Sequence, residues 1–212
     1  MKKLLLAVIL LIVPYCLFAQ FSVGFKITPF FCNANRAFGS TGNDVTVQTG
    51  HFGVWNFGGF INYGFKEYFA LQTEANYRVE GLIYTHPVEG AFVQEIVEVP
   101  LLFQIKGKNK NYGFVELGLS LKCLISATHY LPNDEYNADS YFNLFRLSGK
   151  IGAGGVVNIW RNFSITGNLR LGYDITPIGK PIYEKRTNQN WAFDKIRYFD
   201  LNIFLGIMYT FR

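Results

Sequence analysis

A chain of 212 residues has room for one domain of ordinary size. Half of its residues are apolar and only 17% are charged, while 21 Phe, 13 Tyr and 21 Gly are present. Setting aside Lys2 and Lys3 leaves 18 Lys and Arg against 15 Asp and Glu, a surplus too small and too scattered to hold nucleic acid.

The first residues read as an export signal. Lys2 and Lys3 precede an unbroken apolar run from Leu4 to Val13, and Leu17-Phe18-Ala19 places a small residue just before Gln20. This pattern predicts a signal peptide over 1–19, cleaved after Ala19, and a mature domain over 20–212. Cys16 is preceded by Pro14 and Tyr15, where a lipidated cysteine needs small residues. No later stretch is long and apolar enough for a spanning helix. An exported chain this apolar must therefore bury its apolar residues or show them to lipid.

In chain order, the remaining sequence repeats with period two, the signature of strands. Phe21, Val23, Phe25 and Ile27 oppose Ser22, Gly24, Lys26 and Thr28. Trp55, Phe57, Ile61, Tyr63 and Phe65 oppose Asn56, Gly58 and Asn62. Phe69, Leu71, Ala75, Tyr77 and Val79 oppose Gln72, Glu74, Asn76, Arg78 and Glu80. Val93, Val97, Val99, Leu101, Phe103 and Ile105 oppose Gln94, Glu98, Gln104 and Lys106. The second half is cleaner. Val115, Leu117, Leu119, Leu121 and Ile125 alternate with Glu116, Gly118, Ser120, Lys122 and Ser126. Phe145, Leu147, Ile151, Val157 and Ile159 alternate with Arg146, Ser148, Lys150, Gly152, Gly154 and Asn158. Phe163, Ile165, Leu169, Leu171 and Tyr173 alternate with Ser164, Thr166, Asn168, Arg170 and Gly172. From Phe199 to Phe211 the odd positions are all apolar, against Asp200, Asn202, Gly206 and Thr210. Eight strands are expected, over 21–31, 52–65, 68–81, 92–106, 112–126, 143–160, 163–174 and 197–211.

Their connections alternate between short (66–67, 107–111, 161–162) and long (32–51, 82–91, 127–142, 175–196). That is the construction of an outer-membrane barrel, with short periplasmic turns and both termini in the periplasm. Aromatics gather where the bilayer edges should fall. Phe21, Tyr63, Phe65, Phe69, Phe103, Trp160, Phe163, Tyr209 and Phe211 lie near the short turns, and Trp55, Tyr77, Tyr173 and Phe199 near the long loops. A soluble barrel or lipocalin-like cup would be apolar inside and polar outside. Here the charges share one face, and the apolar face is too large for a core. The fold class is therefore all-β: a transmembrane, up-and-down antiparallel β-barrel of eight strands.

Several short motifs sharpen this: Val23-Gly24-Phe25-Lys26, Leu71-Gln72-Thr73-Glu74 with Tyr77 following, Val97-Glu98-Val99-Pro100-Leu101-Leu102, and Val115-Glu116-Leu117-Gly118. Over the whole mature chain the sequence resembles the outer-membrane β-barrel domain common in Bacteroidetes, including the PorT-like proteins. That resemblance implies the same fold and, for some members, service in type IX secretion. It implies no activity for named residues. The closing Tyr209-Thr210-Phe211-Arg212 resembles the terminal aromatic signal read by the barrel-insertion machinery, with one Arg added.

The charged residues expected to meet in the lumen are Lys26, Glu74, Arg78, Glu98, Glu116, Lys122, Lys150, Arg170 and Asp200. An eight-stranded barrel is just wide enough for side chains to fill it, so these charges should pair rather than line a pore. Pro100 inside a strand predicts a bulge, because a closed barrel has no edge to hold it. Gly152, Gly154 and Gly155 predict a bend or room for a large inward neighbour. Cys32 at a loop edge and Cys123 in mid-strand make a poor match for a disulfide.

His51, His86 and His129 are expected on three different long loops, without metal-ligand spacing. Ser126, His129 and Asp134 or Glu135 lie near one another, but their spacing fits no acyl-transfer motif. Lys180, Lys185, Arg186, Lys195 and Arg197 in or beside the last loop read as a solvated face broken by Glu184 and Asp194, or as contacts for lipopolysaccharide phosphates. Tyr183, Trp191 and Phe193 suit packing over the barrel mouth, or contact with a partner. The function expected is that of a non-enzymatic, monomeric outer-membrane barrel without cofactor or metal. It would be structural or interaction-based, with its extracellular loops as a binding surface. The alternatives are a narrow channel or secretion accessory, and a lipid-modifying enzyme. The partners expected are outer-membrane lipid and lipopolysaccharide, the insertion machinery and secretion-system subunits.

Overall fold

In the computed structural model, residues 20–28, 33–38, 47–48, 56–84, 89–184 and 189–211 are described. The signal segment, Cys32, His51, Trp55, His86, Lys185 and Arg186 lie outside them.

The strands run β1 (Gln20–Thr28), β2 (Asn33–Phe38), β3 (Val47–Gln48), β4 (Asn56–Lys66), β5 (Phe69–Tyr84), β6 (Gly90–Lys106), β7 (Tyr112–Leu131), β8 (Asp134–Asn137), β9 (Phe145–Trp160), β10 (Phe163–Asp174), β11 (Pro181–Glu184), β12 (Gln189–Ala192) and β13 (Arg197–Thr210). Eight of them pair antiparallel in the cycle β1-β4-β5-β6-β7-β9-β10-β13, and β1 closes the ring on β13 from Ser22↔Thr210 to Ile27↔Leu205. Closure lets a strand structure stand in hydrocarbon, since every barrel strand then has a partner on both sides.

Which face points where follows from the pleat. Leu117, Ile151, Ile165 and Ile207 stand open on the outer wall, while their chain neighbours Glu116, Lys150, Ser164 and Met208 are buried. The outside is greasy and the inside largely polar, the inverse of a water-soluble barrel. At the short-turn end the outward aromatics form a band of ring contacts, from Phe21–Phe211 at 5.6 Å through Tyr209–Phe211 at 5.0 Å and Phe163–Tyr209 at 5.1 Å to Trp160–Phe163 at 6.2 Å. A second group joins Phe65, Phe69 and Phe103. The turn after β9 is tight, and Arg161 takes φ 43° there, as two-residue hairpin loops require.

The strands reach further than the alternation predicts. β5, β6 and β7 extend as arms to Tyr84, from Gly90 and to Leu131. β2 prolongs the line of β1 along β13, from Asn33↔Asn202 to Phe38↔Arg197. Much of the expected long loops is therefore strand. A bulge explains part of the misreading. Between Glu95↔Ser126 and Ile96↔Leu124 the register of β7 gains one residue, Ile125, and the inward face switches from even to odd numbers. Lys122 is buried below the bulge, Ala127 and His129 above it.

Pro100 does not carry the expected bulge. It faces the lumen opposite Ser120 in unbroken register with β7. Toward β5 the pairing skips from Thr73↔Leu101 to Asn76↔Glu98 without a shift. The imino ring costs one ladder hydrogen bond there, and the neighbouring pairs hold the register. Gly154 does make room. A Cβ at Gly154 would sit 2.6 Å from the Phe114 ring, and one at Gly24 would sit 2.2 Å from the Phe60 ring. Both glycines let large rings lie across the lumen.

Candidate functional site

The lumen is the most constrained chemical environment in the molecule. All nine charged residues expected there are buried, and Glu80, Arg146 and Asp174 join them. The twelve sort into three tiers of two cations and two carboxylates.

In the tier toward the short turns, Arg170 grips Glu74 with both terminal nitrogens, at 2.9 and 3.0 Å, and donates from Nε to Glu116 at 2.7 Å. Lys26 completes it by donating to Glu74. In the middle tier Arg78 reaches Glu98 at 2.7 Å and Asp200 at 3.1 Å, and Lys150 reaches the same two carboxylates at 2.7 and 2.9 Å. In the tier toward the arms Lys122 lies 2.8 Å from both Glu80 and Asp174, while Arg146 lies 2.8 and 3.0 Å from them. Each tier draws its four residues from four different strands. The upper two tiers touch through Arg78–Glu80 at 3.6 Å and Lys122–Asp200 at 3.5 Å.

Amides finish the lower tier. Gln72 and Asn76 donate to Glu74, at 2.6 and 2.9 Å, and Gln104 and Asn168 to Glu116, at 3.0 and 2.8 Å. A charge out of water is tolerable only when opposite charge and hydrogen bonds replace the water it lost. Two cations facing two anions in each tier meet that condition.

Apolar layers cap both ends of this column. Below it, Phe60, Phe114, Val156 and Met208 pack across the lumen with Tyr112 against them. Beyond that layer lies a vestibule of about 140 Å³ at the short-turn mouth, with Lys106, Lys108, Lys110 and Arg161 at its walls. Above the column, Leu82, Phe92, Ala127, Ala138, Phe142, Ile178, Phe193, Ile196 and Tyr198 form one buried cluster. Phe92 is its hub, with Phe193 edge-on at 5.2 Å and Phe142 edge-on at 5.7 Å. The chain after β8 dips into the mouth to supply Ala138 and Phe142. Backbone bonds lace it to the last loop: Asn143 N–H to Ile178 O at 2.9 Å, Lys180 N–H to Tyr141 O at 3.1 Å, and Ile178 N–H to Ile196 O at 3.0 Å. Tyr198 joins the cap to the charges beneath it. Its ring faces the Arg146 guanidinium at 5.4 Å, and its hydroxyl accepts from Gln94 at 3.3 Å.

The model of the outer membrane protein β-barrel domain family matches residues 18–212. The chain belongs to that family. No curated protein matches the sequence. Among solved structures, the outer membrane protein OprG of Pseudomonas aeruginosa is similar at TM-score 0.52 and 12% identity, covering 92% of this chain and 95% of that one. Neisserial surface protein A is similar at TM-score 0.45 and 13% identity, over 90% and 97% of the two chains. Ail, the attachment invasion locus protein of Yersinia pestis, is similar at TM-score 0.43 and 14% identity, over 91% and 99%. The likeness to OprG is one of fold. The family membership makes this an outer-membrane barrel.

Within this outer-membrane barrel, the sequence-expected residues fall into distinct groups. The nine lumen charges share one column. Glu80 and Arg146 lie on the same polar register as the rest, so the alternation carried their signal. Asp174 is the last residue of β10, where alternation stops being evidence. The inward apolar residues Phe60, Phe114 and Met208 were not anticipated, although each stands at an even position among polar neighbours.

His129 departs most from expectation. It is not a surface-loop residue but part of β7. It is buried, stacked on Phe92 with ring centroids 3.8 Å apart, and its Nδ1 meets the Tyr136 hydroxyl. Ser126 pairs across from Glu95 below the arm, whereas His129 lies opposite Phe92, so the two are not gathered at one centre. Among the described residues no group of His, Cys, Asp and Glu could hold a metal. Phe193 packs into the cap as the loop composition suggested.

Proposed function

We propose that this outer-membrane barrel is a sealed, non-enzymatic scaffold whose work is done at its surface. Its strand arms and mouth cap would serve as the binding face. The observation that carries this reading is the charge column: three neutral tiers, sandwiched between two apolar layers, occupy the space an ion would need. An open path needs hydrated or unpaired groups along its length, and here each charge faces its opposite. His129 supports the non-enzymatic part, since its ring is spent on packing against Phe92 and on Tyr136. The membership in an outer-membrane barrel family and the packed, hydrogen-bonded mouth favour presentation over transport.

In this reading the short turns and both termini are periplasmic, and the arms of β5, β6 and β7 project outside the cell. The barrel acts as a monomer in contact with outer-membrane lipid and lipopolysaccharide, after delivery by the insertion machinery through its aromatic last strand. The motifs around Glu74, Pro100 and Glu116 support placement near the PorT-like proteins of Bacteroidetes, and hence an accessory role beside secretion-system subunits. The deciding experiment is conductance of the purified barrel in planar bilayers. The scaffold reading expects no discrete steps, and steady ohmic steps would overturn it. Labelling of single cysteines at Asn133 and Asn109 in intact cells reads the orientation, with only Asn133 reactive. Co-purification of secretion subunits tests the accessory role.

A further inference from the structure

The outer wall is not uniformly convex. On the lipid-facing side, where β7, β9 and β10 run together toward the arms, lies a groove of about 680 Å³. Its floor is Gly149, paired with Leu119 on one side and Tyr173 on the other. A Cβ at Gly149 would meet nothing within 4 Å. Leu119, Ile151, Leu171, Tyr173, Ile175 and Phe199 rise around that floor. At Gly149 no side chain fills the wall, whereas Leu117 on the rim and Ile165 beyond it project outward.

Two observations bear on what fills the groove. The lining is almost wholly apolar and faces hydrocarbon, so the occupant is an acyl chain. The arm end of the groove carries a cation. Arg197 stands two residues before Phe199 on β13, and its Nε donates to the Ile175 carbonyl at 3.3 Å. Both Phe199 and Ile175 line the groove. A guanidinium has five N–H donors in a planar fork suited to phosphate, and among the described residues only the bond to Ile175 uses one. Arg197 forms no ion pair among the described residues. The nearby carboxylate of Asp174 is turned into the lumen and held by Lys122 and Arg146.

We infer that this groove is a lipid site. It seats one acyl chain of a phosphorylated glycolipid of the lipid A type, with the phosphate on Arg197. Naming the glycolipid rests on the proposed orientation, which puts the arm end in the outer leaflet. The shape and the charge stand without it.

The test is native mass spectrometry of the full mature barrel in mild detergent, titrated with diphosphoryl lipid A, with its dephosphorylated form and with phosphatidylethanolamine. The expected order is tight retention of diphosphoryl lipid A and weak retention of the other two. Gly149→Phe fills the groove and abolishes retention. Arg197→Gln weakens diphosphoryl lipid A about fivefold, in keeping with about 1 kcal/mol for one basic residue at a lipid surface, and leaves the dephosphorylated form unchanged. Gly113→Phe, on the outer face at the opposite end, is the control and changes nothing. Equal binding of all three lipids, or full retention by Gly149→Phe, overturns the proposal. Heat-modified gel mobility confirms that each variant is folded. The titration in detergent is indifferent to which way the barrel points. A failed orientation in the labelling experiment is thus told apart from a failed groove.

Discussion

The middle of the lumen and its arm-end mouth are two cores of opposite chemistry, built from the same strands. The middle is made of charge. Arg170, Glu74, Glu116 and their counterparts hold one another across the barrel. The mouth is made of rings. Phe92, Phe142, Phe193 and Tyr198 bury themselves above the charges as in an ordinary globular protein. The hydrophobic effect needs water as the alternative, and in the bilayer zone the outer wall faces lipid, which is as apolar as the side chains. Apolar burial can therefore stabilise the mouth, beyond the hydrocarbon. Within the bilayer zone the structure depends on backbone pairing and ion pairing. The two regions should accordingly fail differently.

The largest effect is expected from Arg170→Met. It strands Glu116 as an uncompensated buried carboxylate and leaves Glu74 with Lys26 alone, and should cost about 3–5 kcal/mol in urea unfolding of the whole barrel. Pairing it with Glu116→Gln, which leaves Lys26 and Glu74 as a matched pair, should restore much of that. If the single change were silent, the charge column would not be what holds the middle. Phe92→Ala should cost about 3 kcal/mol, but locally. Hydrogen exchange should rise in the arms and in residues 138–144 while the bilayer-zone strands stay protected. A uniform rise would merge the two regions into one cooperative unit. Gly154→Val presses a side chain against the Gly167 carbonyl, Asn168 and the Phe114 ring and should cost about 1–3 kcal/mol, of which Phe114→Ala relieves only a part. The smallest effect belongs to the exposed pair of Lys108 and Glu67, 2.9 Å apart at a short turn. Lys108→Ala should shift the unfolding midpoint by less than the scatter of replicate melts.

The same division governs what could be read from the amino acids. Through the bilayer zone the pleat is strict, so a period-two rule reveals the strands, the outer wall and most of the column. Lys150 and Arg170 could be placed in the lumen from their neighbours alone. At the mouth that rule breaks. The extra residue at Ile125 inverts the sense of inward and outward, so His129 reads as loop when it is buried strand. The arms of β5 and β6 likewise continue past the point where alternation in the sequence fades. Pro100 misleads for another reason: one missing donor is a smaller perturbation than a register held by long runs on both sides. The pairing of specific charges was not legible at all, because it depends on which strands face each other across the closed ring.

The four-strand origin of each tier bears on how the protein reaches its membrane. Glu74 and its partner Arg170 are separated by 96 positions in the chain, so no single hairpin can neutralise itself. A sheet inserted strand by strand would drag naked carboxylates and guanidinium groups through oil. The penalty vanishes in full only when the strands that share each tier have come together, β1 bringing Lys26 and β13 bringing Asp200, which favours delivery of a nearly finished cylinder in one concerted event over gradual threading.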